Sequence, residues 1–234
     1  MEILISVIVP AYNEEKFIGL CLTNLINQDF NKKHYEIIVV NNASTDKTGQ
    51  IAKKMGVKVI FEPKKGVSFA LKKGFETAKA DFIAIADADT IAPKDWLFNI
   101  YRAFKKDKSV VLIGNRTIHR PMFLLAFIAQ FVLNFIGGYL LKLFSAYAMA
   151  FRKDAYQKAG GIDTRINFNG DIDLCLRLKK QGRVVFLYHN PIVVSSRHYR
   201  GIEGLKYSLK GPINTISLIL FKKAPFFHFS DIRE

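Results

Sequence analysis

The segment IAIADADT, residues 83–90, decides how this chain is interpreted, because an apolar run typical of a buried strand ends abruptly in two carboxylates. One alanine separates Asp87 from Asp89, so the two side chains point to the same side if the strand continues. One carboxylate of such a pair can accept from a ribose hydroxyl while the other holds a divalent cation. The competing interpretation is that two acidic residues merely end a strand and start a turn.

Strand and helix patterns alternate around this segment. Apolar runs predict strands, and amphipathic runs between them predict helices. The predicted strands cover residues 3–9, 36–40, 57–61 and 81–86, and the predicted helices cover residues 14–28, 45–56, 66–79 and 93–107. This βα order predicts an α/β fold with a mainly parallel central sheet flanked by helices.

Polar clusters follow three of the predicted strands, at residues 10–14, 41–46 and 87–89. Ligands of open parallel sheets bind beyond the carboxyl ends of the strands, so these clusters are expected to converge on one edge. No GxGxxG follows the first strand and no GxxxxGK[ST] occurs in the chain, which disfavours Rossmann dehydrogenases and P-loop enzymes. A bound diphosphate would then be neutralised by a divalent cation on aspartate oxygens.

Composition narrows the class of partner. A chain of 234 residues fits one large domain, and 35 Lys and Arg against 20 Asp and Glu leave a net charge of +15. That charge favours nucleotides, anionic lipid surfaces or nucleic acid. Cys21 and Cys175 show neither disulfide-framework nor zinc spacing, which predicts a cytoplasmic protein. Residues 1–15 show no secretion signal.

Five segments together carry a family resemblance. They are VIVPAYNEE (7–15), VVNNASTDKT (39–48), KKGVSFALKKG (64–74), IAIADADT (83–90) and GGID with GDIDLCLRL (160–163 and 170–178). In this order they resemble the family 2 glycosyltransferases over roughly residues 3–200. The resemblance implies a Rossmann-like GT-A fold, a UDP- or GDP-sugar donor, and Mg²⁺ or Mn²⁺ as cofactor.

The resemblance also implies residue roles. Asn42 would meet the base, Asp87 the ribose and Asp89 the metal. The nucleotide pocket as a whole would be lined by Pro10, Ala11, Tyr12, Glu14, Asn42, Lys65, Gly66, Asp87, Ala88 and Asp89. Alternative interpretations make Tyr12 a half-buried aromatic at a strand end and Glu14 a charge in the first turn of a helix.

Two departures from the family pattern bear on the donor. Asn41 and Asn42 stand where many relatives carry two aspartates, and amides both donate and accept, so the choice between uridine and guanosine stays open. Leu71 and Lys72 stand where relatives often carry Arg-Asn. The diphosphate contact is therefore absent or moved to Lys72 or Lys65, unless these lysines are only solvated helix charges.

Residues 169–182, NGDIDLCLRLKKQG, predict a helix that begins at Gly170 or Asp171. The resemblance makes Asp171 the general base of an inverting displacement, with Gly170 in place of the glutamate of a Glu-Asp pair. The alternative role for Asp171 is a helix N-cap. Asp173 is the second candidate base, although Arg177 at i,i+4 favours a structural role.

Basic residues follow the predicted base. Some relatives supply a histidine to the metal near the position of His198, and Arg197 or Arg200 could contact phosphate. The alternative is that His198 is an ordinary surface residue. His189 is expected in a loop.

Residues 122–144 form an apolar segment long enough to cross a bilayer, which takes about 20 residues. A single crossing would separate Asp89 from Asp171, so a spanning role is not expected. Small or polar residues recur at every fourth position, namely Ala126, Gln130, Asn134, Gly138 and Lys142. A core or oligomer-interface helix and an interfacial helix on anionic lipid both remain open. The second would suit a polyprenyl-linked acceptor.

Residues 1–221 are thus expected to form one glycosyltransferase domain, followed by a basic and aromatic tail at 222–234. Residues 1–115 would bind the nucleotide-sugar and residues 116–221 the acceptor. The predicted activity is metal-dependent hexosyl transfer to a hydroxyl or phosphate. The alternative is a basic, non-enzymatic binding protein for nucleic acid or an anionic membrane surface. A nucleic-acid partner is not expected, because the chain lacks a recognised reading module or an aromatic-interleaved basic stripe.

Overall fold

A twisted sheet forms the centre of the computed structural model, which describes residues 2–166, 169–199 and 201–221. Within these residues the strands are β1 (Ile5–Ala11), β2 (Tyr35–Asn41), β3 (Lys58–Phe61), β4 (Phe82–Ile85), β5 (Val110–Arg120), β6 (Met149–Arg152) and β7 (Arg183–Ser195). Their order across the sheet is β3-β2-β1-β4-β6-β5-β7. β1 to β4 pair in parallel, as do β5 and β7, whereas β6 runs antiparallel to both of its neighbours. The predicted mainly parallel α/β fold is confirmed.

Helices cover both faces of the sheet. They are α1 (Ile18–Ile26), α2 (Thr48–Lys54), α3 (Val67–Thr77), α4 (Trp96–Lys106), α5 (Leu124–Phe131), α6 (Lys153–Lys158), α7 (Gly170–Leu178) and α8 (Gly201–Phe221). The predicted strands and helices of the first half are all present. The first helix begins at Ile18 rather than residue 14, because the chain from Glu14 to Phe17 turns around the sheet edge before the helix starts.

The sheet is buried on both sides. Alternate residues of β1 pack with α1 and α4 on one face, while Ile8 packs with α3 on the other. α3 lies close to the strand because Gly74 has no side chain. A Cβ there would stand 2.3 Å from Ile8 Cγ2, closer than two carbon atoms can approach. This packing sets the start of α3 beside the carboxyl ends of β1 and β2.

The apolar segment, predicted as one helix, consists of an α-helix followed by a π-helix. α5 passes directly into a π-helical segment, Val132–Leu141, which ends at Lys142 in the left-handed conformation. Every fourth residue of an α-helix advances about 40° beyond a full turn, so a period of four would drift around the helix. The wider π-helical turns reduce that drift. The period-four stripe therefore keeps facing one surface, which is the sheet.

Side chains of the stripe hold the helix to the second half of β5. Asn134 Oδ1 accepts from the Thr117 backbone N–H at 2.8 Å, and Asn134 Nδ2 donates to the Thr117 carbonyl at 2.8 Å. Gln130 Oε1 accepts from the His119 backbone N–H at 2.9 Å. A Cβ at Gly138 would lie 2.8 Å from the Phe186 ring, so glycine permits this approach. The polar side of the helix is turned inward.

The apolar side of the same helix is turned outward. The window Leu124–Leu141 has a mean hydropathy of 2.0 and is long enough to cross a membrane, yet only 11% of it is buried within the described residues. Leu124 is 76% exposed, and Phe127 and Phe131 are exposed as well. Within this chain it is therefore a surface helix and not a core helix.

Candidate active site

The loops after β1 and β2 are joined to each other by short hydrogen bonds. Asn13, in the left-handed region at φ 52°, accepts from the Thr45 backbone N–H at 2.9 Å, and its own N–H donates to Ser44 Oγ at 3.1 Å. The Glu14 N–H donates to Thr48 Oγ1 at 2.7 Å. These hydrogen bonds hold the two loops together at the carboxyl edge of the sheet.

Three predicted nucleotide contacts lie in or beside strands. Pro10 and Ala11 are the last residues of β1 and pair with Val40 and Asn41 of β2. Ala11 is buried, and so is Ala88, between the two aspartates that follow β4. Both alanines pack in the core cluster on the α1 and α4 face of the sheet.

Asn42 directs its amide into the protein. Its Nδ2 donates to the carbonyls of Glu62 and Lys64 at 3.1 and 2.7 Å, and its Oδ1 accepts from the Gly66 N–H at 2.8 Å. Gly66 has φ +133°, a conformation that favours glycine, and stands directly before α3. Asn42 is only 4% exposed and holds the loop 62–66 in place. The predicted contact of Asn42 with a base stays a prediction.

The ammonium group of Lys65 lies over Tyr12, the residue that follows β1. Its Nζ donates to Tyr12 Oη at 2.9 Å and lies 4.9 Å from the centroid of the Tyr12 ring. Lys72, the other candidate for a diphosphate contact, is exposed and lies 4.0 Å from Glu76 one helical turn away, while Leu71 is buried in the core. The geometry therefore favours Lys65 over Lys72.

An arginine from the far end of the chain joins the two acidic loops. Arg197 donates to both carboxylate oxygens of Glu14, at 2.9 and 2.6 Å, and its Nε lies 3.1 Å from Asp89 Oδ2. Burial by itself lowers the pKa of the Arg197 guanidinium, but the hydrogen bonds to Glu14 and the charge of Asp89 outweigh it and hold that pKa above its usual value. Glu14 is only 3% exposed, so this pair is largely withdrawn from water.

Asp171 lies in the first turn of α7. Its Oδ2 accepts from the Ala146 N–H at 2.8 Å, and its Oδ1 accepts from the Ile172 N–H at 2.9 Å. The N-cap position belongs to Asn169, in the left-handed conformation, so the N-cap alternative for Asp171 is wrong. Burial raises the pKa of the Asp171 carboxyl above its ordinary value despite these two hydrogen bonds. A carboxylate with a raised pKa is a stronger base.

Contacts at the start of α7 bring Asp171 beside the start of α3. A Cβ at Gly170 would lie 3.1 Å from Ser68 Oγ, and that hydroxyl donates to the Ile166 carbonyl at 3.0 Å. Ser68 is in the first turn of α3, two residues after Gly66. The tight approach explains physically why glycine suits position 170. The structure thus joins the helix of the base candidate to the first half of the chain.

Asp173 has the structural role that its spacing indicated. Its carboxylate accepts from Arg177 Nη2 at 2.6 Å, and Arg177 also donates to the carbonyls of Ala159 and Gly161. These contacts tie α7 to the turn after α6.

A cavity begins at Asp171. It has a volume of about 440 Å³ and lies between β5, the π-helical segment and α8. Its lining includes Tyr147, Phe186 and Ile216, and it is mostly apolar. Sequence reasoning did not anticipate it, because its walls come from segments that are far apart along the chain.

Residues 6–160 match the profile of glycosyl transferase family 2. The chain belongs to that family. Over 114 residues, 44% of the chain, it is 35% identical to a family relative from Methanococcus voltae, named dolichyl N-acetyl-alpha-D-glucosaminyl phosphate 3-beta-D-2,3-diacetamido-2,3-dideoxy-beta-D-glucuronosyltransferase. The match covers 36% of that relative, and the chain spans less than half the length of the curated relatives it matches.

Solved glycosyltransferases share the fold of this family 2 chain. A mannosyltransferase from Pyrobaculum calidifontis, in complex with GDP-Man and Mn²⁺, superposes with a TM-score of 0.75 at 22% identity over 94% of this chain and 65% of the other. S. aureus TarS 1-349, in complex with UDP-GlcNAc, superposes with a TM-score of 0.70 at 19% identity over 96% and 68%. The predicted GT-A fold is confirmed.

The structure thus brings most of the predicted site residues of this family 2 chain to one edge. The side chain of His198, predicted as a metal ligand, lies outside the described part of the structure, and so does Arg200. The contact of Arg197 with Glu14 was not predicted from the sequence. No sequence pattern connects these residues, since 183 positions separate them.

Proposed function

We propose that the protein is an inverting glycosyltransferase that moves a hexosyl group from a UDP- or GDP-sugar to an acceptor hydroxyl. The observation that carries this proposal is that Asp87 and Asp89 follow β4 of a GT-A sheet, while α7, which carries the base candidate Asp171, packs at Gly170 against Ser68 in the first turn of α3. The UDP-GlcNAc and GDP-Man complexes of two solved neighbours support the class of donor. Residues 1–115 would form the nucleotide-sugar half and residues 116–221 the acceptor half.

A divalent cation, Mg²⁺ or Mn²⁺, fits this site as a ligand shared with the donor. The described residues contain no group of three Asp, Glu, His or Cys side chains that could hold a metal alone. Asp89 nevertheless has a carboxylate that could be shared between Arg197, whose Nε lies 3.1 Å from Oδ2, and a cation, and Mg²⁺ is commonly held by one or two carboxylates together with substrate phosphates. Asp89, with His198 as a second candidate, would hold it. A bound cation would supply charge neutralisation for the departing diphosphate.

Asp171 would act as the base. It would accept the proton of the acceptor hydroxyl while the acceptor oxygen bonds to the anomeric carbon and the bond from that carbon to the diphosphate breaks. An acceptor phosphate is already ionised at neutral pH and needs no base. A base at position 171 therefore goes with a hydroxyl, rather than a phosphate, as the attacking group.

We place the protein at the cytoplasmic face of a membrane, attached peripherally. The outward side of the helix over 124–141 is apolar, and α8 adds exposed Ile213, Ile216 and Leu220. Such a surface is unfavourable in water and suits the boundary of a bilayer, where the net charge of +15 would attract anionic headgroups. The dolichyl-containing name of the Methanococcus voltae relative supports a lipid-linked acceptor.

The donor site is tested by calorimetry. UDP- and GDP-sugars are first screened by thermal shift with Mn²⁺, because a ligand that binds the folded state raises its stability. Asp89→Ala should then abolish metal-dependent binding of the selected donor. Asp81→Ala, at the other end of the same β4 region, is the matched control and should bind as wild type does. Undiminished metal-dependent binding by Asp89→Ala would refute the metal role of Asp89.

The membrane face is tested with anionic vesicles. Wild type should sediment with them, and the part of the binding that depends on charge should weaken with salt. The double variant Phe127→Ser and Phe131→Ser should release the protein while it stays folded. Phe98→Ser, an exposed phenylalanine on α4, is the control and should not release it. Concentration-dependent dimers without vesicle binding would instead identify the face as an interface between two copies.

A further inference from the structure

The 440 Å³ cavity beside Asp171 is within the size range of about 300–1,000 Å³ that is typical of ligand pockets. Two of its walls, the π-helical segment and α8, also form the exposed apolar face. Ile128, Ile136, Ile216 and Ile219 line the cavity and are exposed at the same time. They therefore stand at its mouth, and the mouth opens onto the face that we place against the membrane.

Two asparagines in the lining are already hydrogen-bonded within the protein. Asn134 is paired with Thr117, and Asn169 donates to Thr215 Oγ1 at 2.8 Å and to the Gly211 carbonyl at 3.1 Å. These groups need neither water nor a polar ligand. The remaining surface is mainly aliphatic and aromatic, and apolar cavities favour hydrocarbon over water.

One charged side chain lines the cavity among the described residues, and it is the base candidate Asp171. A ligand that fills this space and reacts at Asp171 must be apolar along most of its length and carry a hydroxyl at one end that can donate its proton to the carboxylate. That combination describes a lipid chain with a hydroxyl-bearing head.

We infer that the cavity binds the first part of the acceptor's hydrocarbon chain, which enters from the bilayer between the π-helical segment and α8 and brings a neutral hydroxyl to Asp171. The inference rests on the proposed function for the role of Asp171 as base and for the membrane face, whereas binding of an apolar chain in the cavity can be tested without either. It names the acceptor as a lipid held inside the protein, rather than one that only touches the surface.

The test is calorimetry with n-hexyl, n-octyl and n-decyl β-D-glucosides below their micelle concentrations, without any donor. Each added methylene that enters an apolar cavity should tighten binding by about fourfold until the space is full. Ala129→Phe should reduce the affinity for octyl glucoside by roughly tenfold or more, because the added ring occupies the volume of several methylenes. Ile219→Trp at the mouth is the second variant, for the case that Ala129→Phe does not fold.

The double variant Phe127→Ser and Phe131→Ser is the control, since neither residue lines the cavity. It should keep the dependence on chain length. If both filled variants bind octyl glucoside as wild type does, or if the control loses the dependence, the inference is overturned. Transfer assays test the proposed function separately. If the protein binds the glucosides but shows no transferase activity, the proposed function is refuted and the lipid site is supported.

Discussion

The proposed donor edge, which is the carboxyl ends of β1, β2 and β4 with the loops that follow them, and the proposed acceptor cavity are built in opposite ways. At the donor edge, polar side chains bind one another, as Asn13 does with the β2 loop and Arg197 does with Glu14 and Asp89. In the cavity, most of the lining is hydrocarbon, and Asn134 and Asn169 are bonded to neighbouring protein groups. A pre-organised polar edge recognises one fixed ligand by geometry, whereas an apolar cavity recognises size and excludes water. Asp171 stands where the two meet.

The largest expected effect concerns the buried ion pair of the donor edge. Arg197→Leu would leave the Glu14 carboxylate buried without its partner, which typically costs about 3–5 kcal/mol of stability. Adding Glu14→Gln to that variant removes the uncompensated charge and should restore most of the loss. Urea unfolding of wild type, the single variants and the double variant measures the coupling.

Arg165→Leu is the matched control for that cycle. Arg165 also pairs with a carboxylate, Asp163 at 2.8 Å, but its side chain is 89% exposed. Its loss should change stability by less than about 1 kcal/mol. If Arg197→Leu behaves like Arg165→Leu, the donor edge is not held by its ion pair and the contrast with the cavity fails.

The next effect tests the point where the two regions meet. Asp171→Asn keeps an oxygen for one of the two backbone N–H groups but cannot accept the acceptor proton, so turnover should fall by roughly 10²-fold or more. Asp173→Asn is its control in the same helical turn. It loses the pair with Arg177 and hence some stability, but its turnover per folded molecule should stay near that of wild type. Near-normal turnover of Asp171→Asn would leave that residue a structural role only.

Sequence reasoning reached the donor edge better than the cavity, for a physical reason. Strand ends and helix starts are encoded by neighbouring residues, so the positions of Asp87, Asp89 and Asp171 followed from local patterns. The partner of Glu14 did not, because Arg197 is brought there by the whole second half of the chain. The period-four stripe was visible in the sequence. The sequence did not show that this stripe faces the sheet, because that depends on its hydrogen bonds to the backbone of Thr117 in β5.

A smaller effect tests how the cavity wall is attached. Asn134→Ala removes a side chain that pairs with both the N–H and the carbonyl of Thr117, and it should cost about 1–3 kcal/mol. Asn24, which makes a similar two-way contact with Ala92 on the donor side, provides a comparison in Asn24→Ala. If Asn134→Ala leaves both stability and vesicle binding unchanged, the helix is not held to the sheet by its polar stripe.

The smallest effect is the pH dependence that Asp171 contributes to stability. Its pKa is raised in the folded protein because burial disfavours the charged form, so the native state binds that proton more tightly than the unfolded chain does. The stability that this proton contributes is therefore fully present below the unfolded pKa, near 4, and is lost as pH rises through the folded pKa. Between those two pKa values the loss is about 1.4 kcal/mol for each pH unit.

Thermal unfolding of wild type and Asp171→Asn between pH 4 and 8 isolates this contribution, because the variant has no carboxyl to titrate at position 171. The stability of wild type relative to the variant should decline with increasing pH, since the wild-type carboxyl must ionise in a buried position. A flat difference would mean that the carboxylate is as well solvated as one on the protein surface. The cavity that begins at Asp171 would then be wet rather than apolar, and the contrast between it and the donor edge would disappear.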